Sequence, residues 1–125
     1  EHGKEFKLST LNDAQYYVLV FWSTSCSHCL REIPRLHNYI NKNSTKVKVV
    51  AISLEKNEKE WIKYLPKLNG WHNGLGLNKW ENEYARTYQI YETPTYILLN
   101  KNKKIIAKPD KLEELEKIIS YLEKN

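Results

Sequence analysis

Two cysteines three positions apart are the residues of this chain best suited to chemistry. Cys26 and Cys29 are the only cysteines among 125 residues, and they stand where an apolar run gives way to a helical pattern. A helix that begins near Cys26 would place free backbone N–H groups and the positive end of its dipole beside that sulfur, which favours the thiolate. Cys26 is therefore the predicted nucleophile. Cys29, about one turn further on, is placed to attack a mixed disulfide on Cys26 and release the partner as a thiol.

The residues near this pair decide between redox chemistry and metal binding. His28 would add positive charge when protonated or a hydrogen bond when neutral, and either would stabilise the reduced pair. A closed structural zinc site needs four ligands, usually from a second Cys/His pair. The remaining histidines are scattered singly along the chain: His2, His37 and His72. The spacing therefore favours a redox-active disulfide with no metal and no other cofactor, and it leaves a Cu(I) or zinc carrier as the non-enzymatic alternative.

The segment around the cysteines resembles the active site of the thioredoxin superfamily, in which a tryptophan and a Cys-x-x-Cys pair follow a central strand. Trp22, Cys26 and Cys29 match that pattern. The helix is similar to that of the TlpA/ResA-like thiol-disulfide oxidoreductases, because Glu32 and Pro34 complete their Cys-x-x-Cys-x-x-Glu-x-Pro motif. The resemblance implies a thioredoxin-like α/β fold, with a central mixed sheet flanked by helices on both faces, and electron exchange with protein thiols and disulfides.

Two positions depart from the general thioredoxin pattern. Ser25 stands where the family usually has a second aromatic residue beside the first cysteine, and Val20 stands where thioredoxin itself has a buried aspartate. Glu32 supplies an alternative acid, which would accept or relay a proton as the thiols cycle. The predicted catalytic residues are therefore Cys26, Cys29 and Glu32.

A second motif lies far downstream, where Thr93-Pro94 opens an apolar run. A proline is tolerated at the first residue of a strand, and from the residues alone both a trans and a cis bond are open. The resemblance implies the superfamily's Thr-Pro motif, with the proline cis and packed beside the cysteines. The backbone of Thr93 would then pair with an extended substrate segment as an added strand. We expect the substrate-binding residues to be Trp22, Ser25, His28, Thr93 and Pro94.

The composition is that of one ordinary domain spanning residues 1–125. Hydrophobic residues make up 41% of the chain and charged residues 28%, which is typical of a globular fold. The net charge of +5 comes from lysines spread along the chain, which argues against a nucleic-acid partner. The longest apolar run is Tyr16–Trp22, far below the ~20 residues of a membrane span. Because the chain opens at Glu1 without any methionine, we expect a processed form or a piece of a longer protein.

The hydrophobic periodicity predicts the elements that position the two motifs. Tyr16–Trp22 is apolar throughout, which indicates a central strand buried on both faces, and Lys46–Leu54 reads as a second strand beside it. A helix over Ser27–Asn41 would carry the cysteines, with a kink at Pro34. The other predictions, in chain order, are an edge strand and turn in residues 1–15, a helix capped by Asn57 and Glu60 and ended by Pro66, an irregular stretch or short strand over Trp71–Leu77, a helix capped by Asn78 and Glu81, and a strand at Pro94. A hairpin turn is predicted over Asn100–Lys103, because asparagine tolerates a positive φ, and a last helix is capped by Asp110 and Glu113.

These observations predict a thiol-disulfide oxidoreductase. We expect protein thiols and disulfides as substrates, an upstream protein that donates or accepts electrons, and a monomer. The TlpA/ResA resemblance favours a reductant outside the cytoplasm, in a bacterial periplasm or tethered to a membrane, whereas His28 favours a more oxidising pair. The enzymatic alternative is a peroxide reductase related to the peroxiredoxins. Ser23 precedes Cys26 at the spacing with which those enzymes hold peroxide, but Leu19 stands where they have a proline.

Overall fold

The computed structural model describes residues 8–77, 88 and 92–124. Its strands are β1 Tyr16–Trp22, β2 Val47–Glu55, β3 His72–Leu77, β4 Thr95–Asn100 and β5 Ile105–Ala107. They form one sheet in the spatial order β3-β2-β1-β4-β5. β1 is parallel to β2 and antiparallel to β4, while β3 pairs parallel with β2 and β5 pairs antiparallel with β4. The predicted central strand in a mixed sheet is therefore confirmed.

β1 is apolar on both faces because it lies in the middle of the sheet and two separate cores meet it. Its side chains alternate between these cores along the strand. Val18, Val20 and Trp22 enter the first core, and Tyr17, Leu19 and Phe21 enter the second.

Three α-helices of the described part of the chain pack on the first core. They are α1 Ser27–Asn43, α2 Lys59–Tyr64 and α3 Leu112–Lys124. Short 3₁₀ turns lie at Leu8–Thr10, on the second core, and at Leu65–Leu68, on the first. α1 buries Cys29, Ile33, Leu36 and Ile40, and α3 buries Leu112, Leu115 and Ile119. Full burial of one Leu or Ile side chain contributes about 1.5–3 kcal/mol, so these contacts fix α1, with its cysteines, on the sheet.

The second core is covered in part by the segment before β1. Leu8, Leu11 and Ala14 pack there, and the ring of Tyr88 lies 6.0 Å from that of Phe21. The helix predicted to begin at Asn78 lies outside the described residues. Within the described ranges, no helix is both long and apolar enough to cross a bilayer.

The predicted helix ends were partly wrong. α1 continues past Asn41 to Asn43, and Leu8–Thr10 forms a 3₁₀ turn instead of part of an edge strand. The short helix does end just before Pro66, as predicted: α2 stops at Tyr64 with Leu65 as its C-cap. Pro66 then lies in the first turn of a 3₁₀ segment, where its missing N–H has no helical partner.

The caps predicted from sequence also use other partners. Asn57 does accept a hydrogen bond from the N–H of Lys59 at 3.0 Å, but Glu60 pairs with Lys63 at 2.8 Å instead of reaching back to the cap. Glu113, predicted to complete the last cap, accepts a hydrogen bond from Arg35 at 3.1 Å.

The hairpin between β4 and β5 forms where it was predicted, with a different residue in the strained position. Lys103, and not an asparagine, has a positive φ of 66°. Asn100 instead holds the turn, because its side-chain oxygen accepts the N–H groups of Asn102 at 2.9 Å and Lys104 at 3.0 Å.

The loop that leaves α1, Ser44–Lys46, is held by the end of α3; we call it the exit loop. Its three residues all donate to the carboxylate of Glu123: the hydroxyl of Ser44 at 2.8 Å and the N–H groups of Thr45 and Lys46 at 3.1 Å each. This contact sets where the chain turns from α1 into β2.

Candidate active site

Cys26 is the N-cap residue of α1. Its backbone is extended, with φ −100° and ψ 107°, and its sulfur accepts the N–H of Cys29 at 3.1 Å, as a serine or aspartate oxygen does at other helix starts. Burial raises its pKa, but hydrogen bonds with the side chains of Cys29 and Thr93 and with the backbone N–H groups of Cys29 and His28 outweigh burial, so the pKa lies below the usual 9.0. The helix start therefore stabilises a thiolate at a partly exposed sulfur.

Cys29 lies in the first turn of α1, and its side chain is fully buried in the first core. Burial, followed by its interaction with Cys26, raises the pKa of the Cys29 thiol to about 12. Both cysteines are free thiols in this structure. The pair therefore consists of one accessible, acidic thiol and one sheltered, neutral thiol.

The corner at Thr93-Pro94 lies against Cys26. The Cys26 thiol donates to the backbone oxygen of Thr93 at 3.5 Å, across 67 positions of sequence, and the Thr93–Pro94 peptide bond is cis. The sheet register explains the meeting, because Thr95 pairs with Phe21 close to the end of β1, from which the chain continues to the cysteines. Thr93 and Pro94 are partly exposed.

Glu32 lies in a short chain of hydrogen bonds beside the pair. The hydroxyl of Tyr96 donates to Glu32 Oε1 at 2.5 Å, and Nε2 of His28 lies 2.7 Å from Glu32 Oε2. Burial first, and then the nearby Glu32 and Cys29, raise the pKa of Tyr96 far above its usual value, so its hydroxyl stays a donor. Within the described residues no hydrogen bond joins Glu32 to Cys29, and Tyr96 is the residue whose pKa both groups raise.

The His28 side chain was predicted to act beside the thiolates, but in the structure its imidazole contacts Glu32 instead. The backbone N–H of His28 acts on Cys26, while its imidazole, whose side chain is 56% exposed, turns to Glu32. At the first turn of a helix the backbone N–H groups point toward the cap, whereas the side chain at this position points outward.

Trp22 is not a surface residue. It is 1% exposed, and its ring packs edge-on against that of Tyr64 at 5.7 Å. The prediction that Trp22 lines a docking groove is therefore corrected: its side chain follows the alternation of β1 into the first core and lies beneath the site. Ser25 is exposed, as a groove residue should be.

The residue on which the peroxide alternative depends is turned inward. Ser23 is 6% exposed, its hydroxyl lies 2.8 Å from that of Ser25, and it accepts the N–H of Ser25 at 3.2 Å. These contacts engage the hydroxyl within its own loop. For metal binding, the described part of the chain holds no group of three or more His, Cys, Asp or Glu side chains able to surround an ion.

Two polar residues of this region were missed by the sequence reasoning. Tyr96, 2% exposed, is the second residue of β4, and its inward direction was readable from its place two positions after Pro94. Glu55, 5% exposed, ends β2 and accepts hydrogen bonds from Thr24. An acid directly after an apolar strand was the available signal, but the predicted strand stopped at Leu54.

Comparison with known proteins agrees with this arrangement. A family model described as thioredoxin-like matches residues 13–105, which include both the cysteine motif and the Thr93-Pro94 corner. The chain belongs to the thioredoxin-like family. The resemblance stated from the motifs and the predicted fold class are both confirmed.

The relatives of this thioredoxin-like chain include thiol-disulfide oxidoreductases. It is 32% identical over 102 residues to a thioredoxin-like protein of Haemophilus influenzae, covering 81% of this chain and 58% of that protein. It is 26% identical over 123 residues to the thiol-disulfide oxidoreductase ResA of Bacillus cereus, covering 98% of this chain and 69% of that protein. A solved domain of a possible thiol-disulfide isomerase from Cytophaga hutchinsonii matches with a TM-score of 0.77 and 36% identity, over 94% of this chain and 80% of that one. The chain thus spans only part of these curated relatives.

Proposed function

We propose that this domain is a thiol-disulfide oxidoreductase acting on protein disulfides. In the reducing direction the Cys26 thiolate attacks one sulfur of the partner's disulfide, and that S–S bond breaks. The partner sulfur that leaves takes a proton from solvent. Cys26 and the partner are then joined by a mixed disulfide.

Cys29 completes the exchange. After losing its proton, it attacks the sulfur of Cys26, the mixed disulfide breaks, and the second partner sulfur leaves and is protonated. The domain now holds a Cys26–Cys29 disulfide, and two electrons have passed to the partner. An upstream dithiol protein restores the reduced pair by the reverse steps, so no cofactor beyond the disulfide takes part.

The observation that carries this proposal is the asymmetry of the two thiols. The partly exposed Cys26 sulfur accepts a backbone N–H at 3.1 Å, and Cys29 is fully buried behind it. Attack on a large substrate requires the exposed thiolate, and resolution requires a second sulfur that a protein partner cannot reach. Only one order of events fits this arrangement.

Glu32 would accept the proton that Cys29 loses. A thiol with a pKa of about 12 does not ionise unaided near neutral pH, so resolution needs a base. The Tyr96 hydroxyl donates to this carboxylate and the charge of Cys29 raises the pKa of Tyr96, while the exposed His28 links the carboxylate to solvent. Glu32, Tyr96 and His28 thus supply a route by which the proton leaves the core.

The substrate would dock where the Thr93-Pro94 corner meets Cys26. Ser25 and the imidazole of His28 are exposed beside it, and Thr93 and Pro94 are partly exposed. We infer that an extended partner segment pairs with the backbone at Thr93, which brings its disulfide to the Cys26 sulfur. Trp22 supports this surface from beneath.

We also propose that the domain works as a reductant outside the cytoplasm, as a monomer. The similarity to ResA supports the direction, while the hydrogen bonds that stabilise the Cys26 thiolate favour the reduced form and shift the potential upward. A midpoint potential measured against a glutathione series decides whether the domain is a reductant or an oxidant, since a value more negative than about −200 mV indicates a reductant. Fractionation of cells that carry the tagged full-length protein tests the location.

Trapping experiments test the exchange itself. Cys29→Ser should accumulate a mixed disulfide with insulin, visible as a reducible adduct by mass spectrometry, because the resolving sulfur is gone. Cys26→Ser should neither trap nor reduce insulin. A Cys26→Ser protein with wild-type insulin reduction would refute these roles, and rapid consumption of hydrogen peroxide by the reduced wild type would favour the peroxide reductase instead.

A further inference from the structure

A buried carboxylate stands next to the redox pair without belonging to it. Glu55 is 5% exposed, and its Oε2 accepts the N–H of Thr24 at 2.7 Å while its Oε1 accepts the Thr24 hydroxyl at 2.9 Å. The hydroxyl of Ser53 donates to Oε2 as well. Both oxygens of one side chain therefore bind one residue that precedes the nucleophile by two positions.

The parallel pairing of β1 and β2 brings Glu55 to this place. The last pair between the two strands is Trp22 with Ser53. β1 ends at this pair, whereas β2 continues beside β3 to Glu55, so the loop after Trp22 starts next to the last residues of β2. Thr24 and Glu55, each two positions further on, are then level with one another. Glu55 shares its face of the sheet with Ser53 and with the first core under α1.

The hydrogen bonds that Glu55 accepts favour one conformation of the loop that contains Thr24. Burying a carboxylate is costly unless hydrogen bonds replace its hydration. Within the described chain its three donors are the N–H and hydroxyl of Thr24 and the hydroxyl of Ser53, all of them neutral. A shift of Thr24 would remove two of the three donors together, so Glu55 resists any movement of this residue.

The loop that Glu55 holds is the one that leads to the nucleophile; we call Ser23–Ser25 the entry loop. Cys26 donates its N–H to the backbone oxygen of Ser23 at 3.1 Å, and the hydroxyls of Ser23 and Ser25 lie 2.8 Å apart on either side of Thr24. The N-cap geometry of Cys26, including its 3.1 Å contact to the Cys29 N–H, therefore continues from a loop tied to β2.

We propose that Glu55 is a positioning residue of the redox site: through Thr24 it holds the entry loop so that the Cys26 sulfur stays on the first N–H groups of α1. The proposal rests on the function proposed above, because it concerns the same nucleophile. It assigns Glu55 no contact with substrate and no proton transfer. Its effect is on how well the helix start stabilises the thiolate.

Glu123 provides a matched control. It holds the exit loop as Glu55 holds the entry loop, with a serine hydroxyl and backbone N–H donors, but at the far end of α1. The test compares Glu55→Ala, Glu55→Gln, Thr24→Val and Glu123→Ala in the reduced domain. The measurement is the pH dependence of Cys26 alkylation by iodoacetamide, followed by mass spectrometry, beside the melting temperature.

We expect Glu55→Ala to raise the alkylation midpoint by about one pH unit, a tenfold loss of thiolate near neutral pH, and Glu123→Ala to leave it in place while still lowering the melting temperature. Glu55→Gln retains one acceptor oxygen and should shift the midpoint by less than half as much. Thr24→Val removes only the hydroxyl bond and should shift it in the same direction, which keeps the test valid if Glu55→Ala does not fold.

Equal midpoints in the Glu55, Thr24 and Glu123 variants would overturn the proposal, since Glu55 would then act on stability alone. This outcome is distinct from failure of the proposed function. Alkylation requires no disulfide substrate, so a wild type that cannot reduce insulin would refute the exchange activity and leave the positioning result readable.

Discussion

The two ends of α1 are held by the same device and differ in what surrounds it. At each end a glutamate from another element accepts hydrogen bonds from the loop that joins α1 to a strand: Glu55 for the entry loop and Glu123 for the exit loop. Glu55 is buried at 5% exposure, whereas Glu123 is partly exposed near the end of the chain.

The difference shows how one structural solution is used for stability at one end and for chemistry at the other. Water can replace some of the hydrogen bonds that Glu123 accepts from the exit loop, so we expect the loss of Glu123 to lower the stability of the fold without changing the chemistry of Cys26. Glu55 is 5% exposed, so water has little access to replace it, and the residue two positions after Thr24 is Cys26. The following predictions sharpen this contrast, or break it, in order of decreasing effect.

The largest contrast lies within the site end, between the two thiols. Near pH 7.5 iodoacetamide should modify Cys26 at least about a hundredfold faster than Cys29 in the reduced folded domain, since each pKa unit changes the thiolate population tenfold. The pKa of Cys26 lies below 9.0 and that of Cys29 is about 12, so both curves rise with pH but Cys26 rises first. Denaturant should abolish the difference. Equal rates in the folded state would contradict the assigned roles.

At the far end, Glu123→Ala should lower the free energy of unfolding by about 2 kcal/mol, because several donors lose a charged acceptor. Burial raises the pKa of Glu123, but hydrogen bonds from Ser44, Thr45 and Lys46 outweigh it and hold the pKa below the usual 4.5. A lowered pKa stabilises the fold above pH 4.5, and this contribution fades as the pH falls through the folded-state value.

The measurement is urea unfolding of wild type and Glu123→Ala between pH 7 and pH 3. The gap between the two free energies should be widest at neutral pH and shrink toward pH 3. A gap that widens in acid would show that the carboxylate does not hold the exit loop in its ionised form.

Glu32→Gln returns to the site end and should slow resolution of the mixed disulfide about tenfold, because the amide cannot take the Cys29 proton. Stopped-flow release of the second partner thiol measures this step. Formation of the mixed disulfide by Cys26 should be unchanged and serves as the internal control. Slower formation with normal resolution would assign Glu32 to the attacking thiol instead.

The smallest effect is expected from a substitution in the middle of α1, between its two ends. Arg35, midway along α1, pairs with Glu113 at 3.1 Å and Glu116 at 3.0 Å, but its side chain is 48% exposed. Exposed ion pairs add little, so Arg35→Ala should lower the melting temperature by less than about 4 °C. The same variant should leave Cys26 alkylation unchanged. A larger loss would mean that α3 orients α1 through this pair.

Much of the site was readable from local pattern. The spacing of Cys26 and Cys29, the apolar run of β1 before them and the helical pattern after them are properties of short segments. These patterns indicated a buried strand followed by a helix that begins near the nucleophile, and in the structure Cys26 is the N-cap of that helix. Lys103, in contrast, took the strained turn position that was expected of an asparagine, because Asn100 was engaged in holding the turn from outside it.

The amino-acid sequence by itself determined which residues carry the chemistry, because residue type and spacing set thiol reactivity and the start of a helix. Only the tertiary structure decided what surrounds them. Thr93 meets Cys26, Tyr96 meets Glu32 and Glu55 meets Thr24 across 67, 64 and 31 positions of sequence. Those meetings depend on strand order and register, and register is a property of paired strands that neither strand encodes alone.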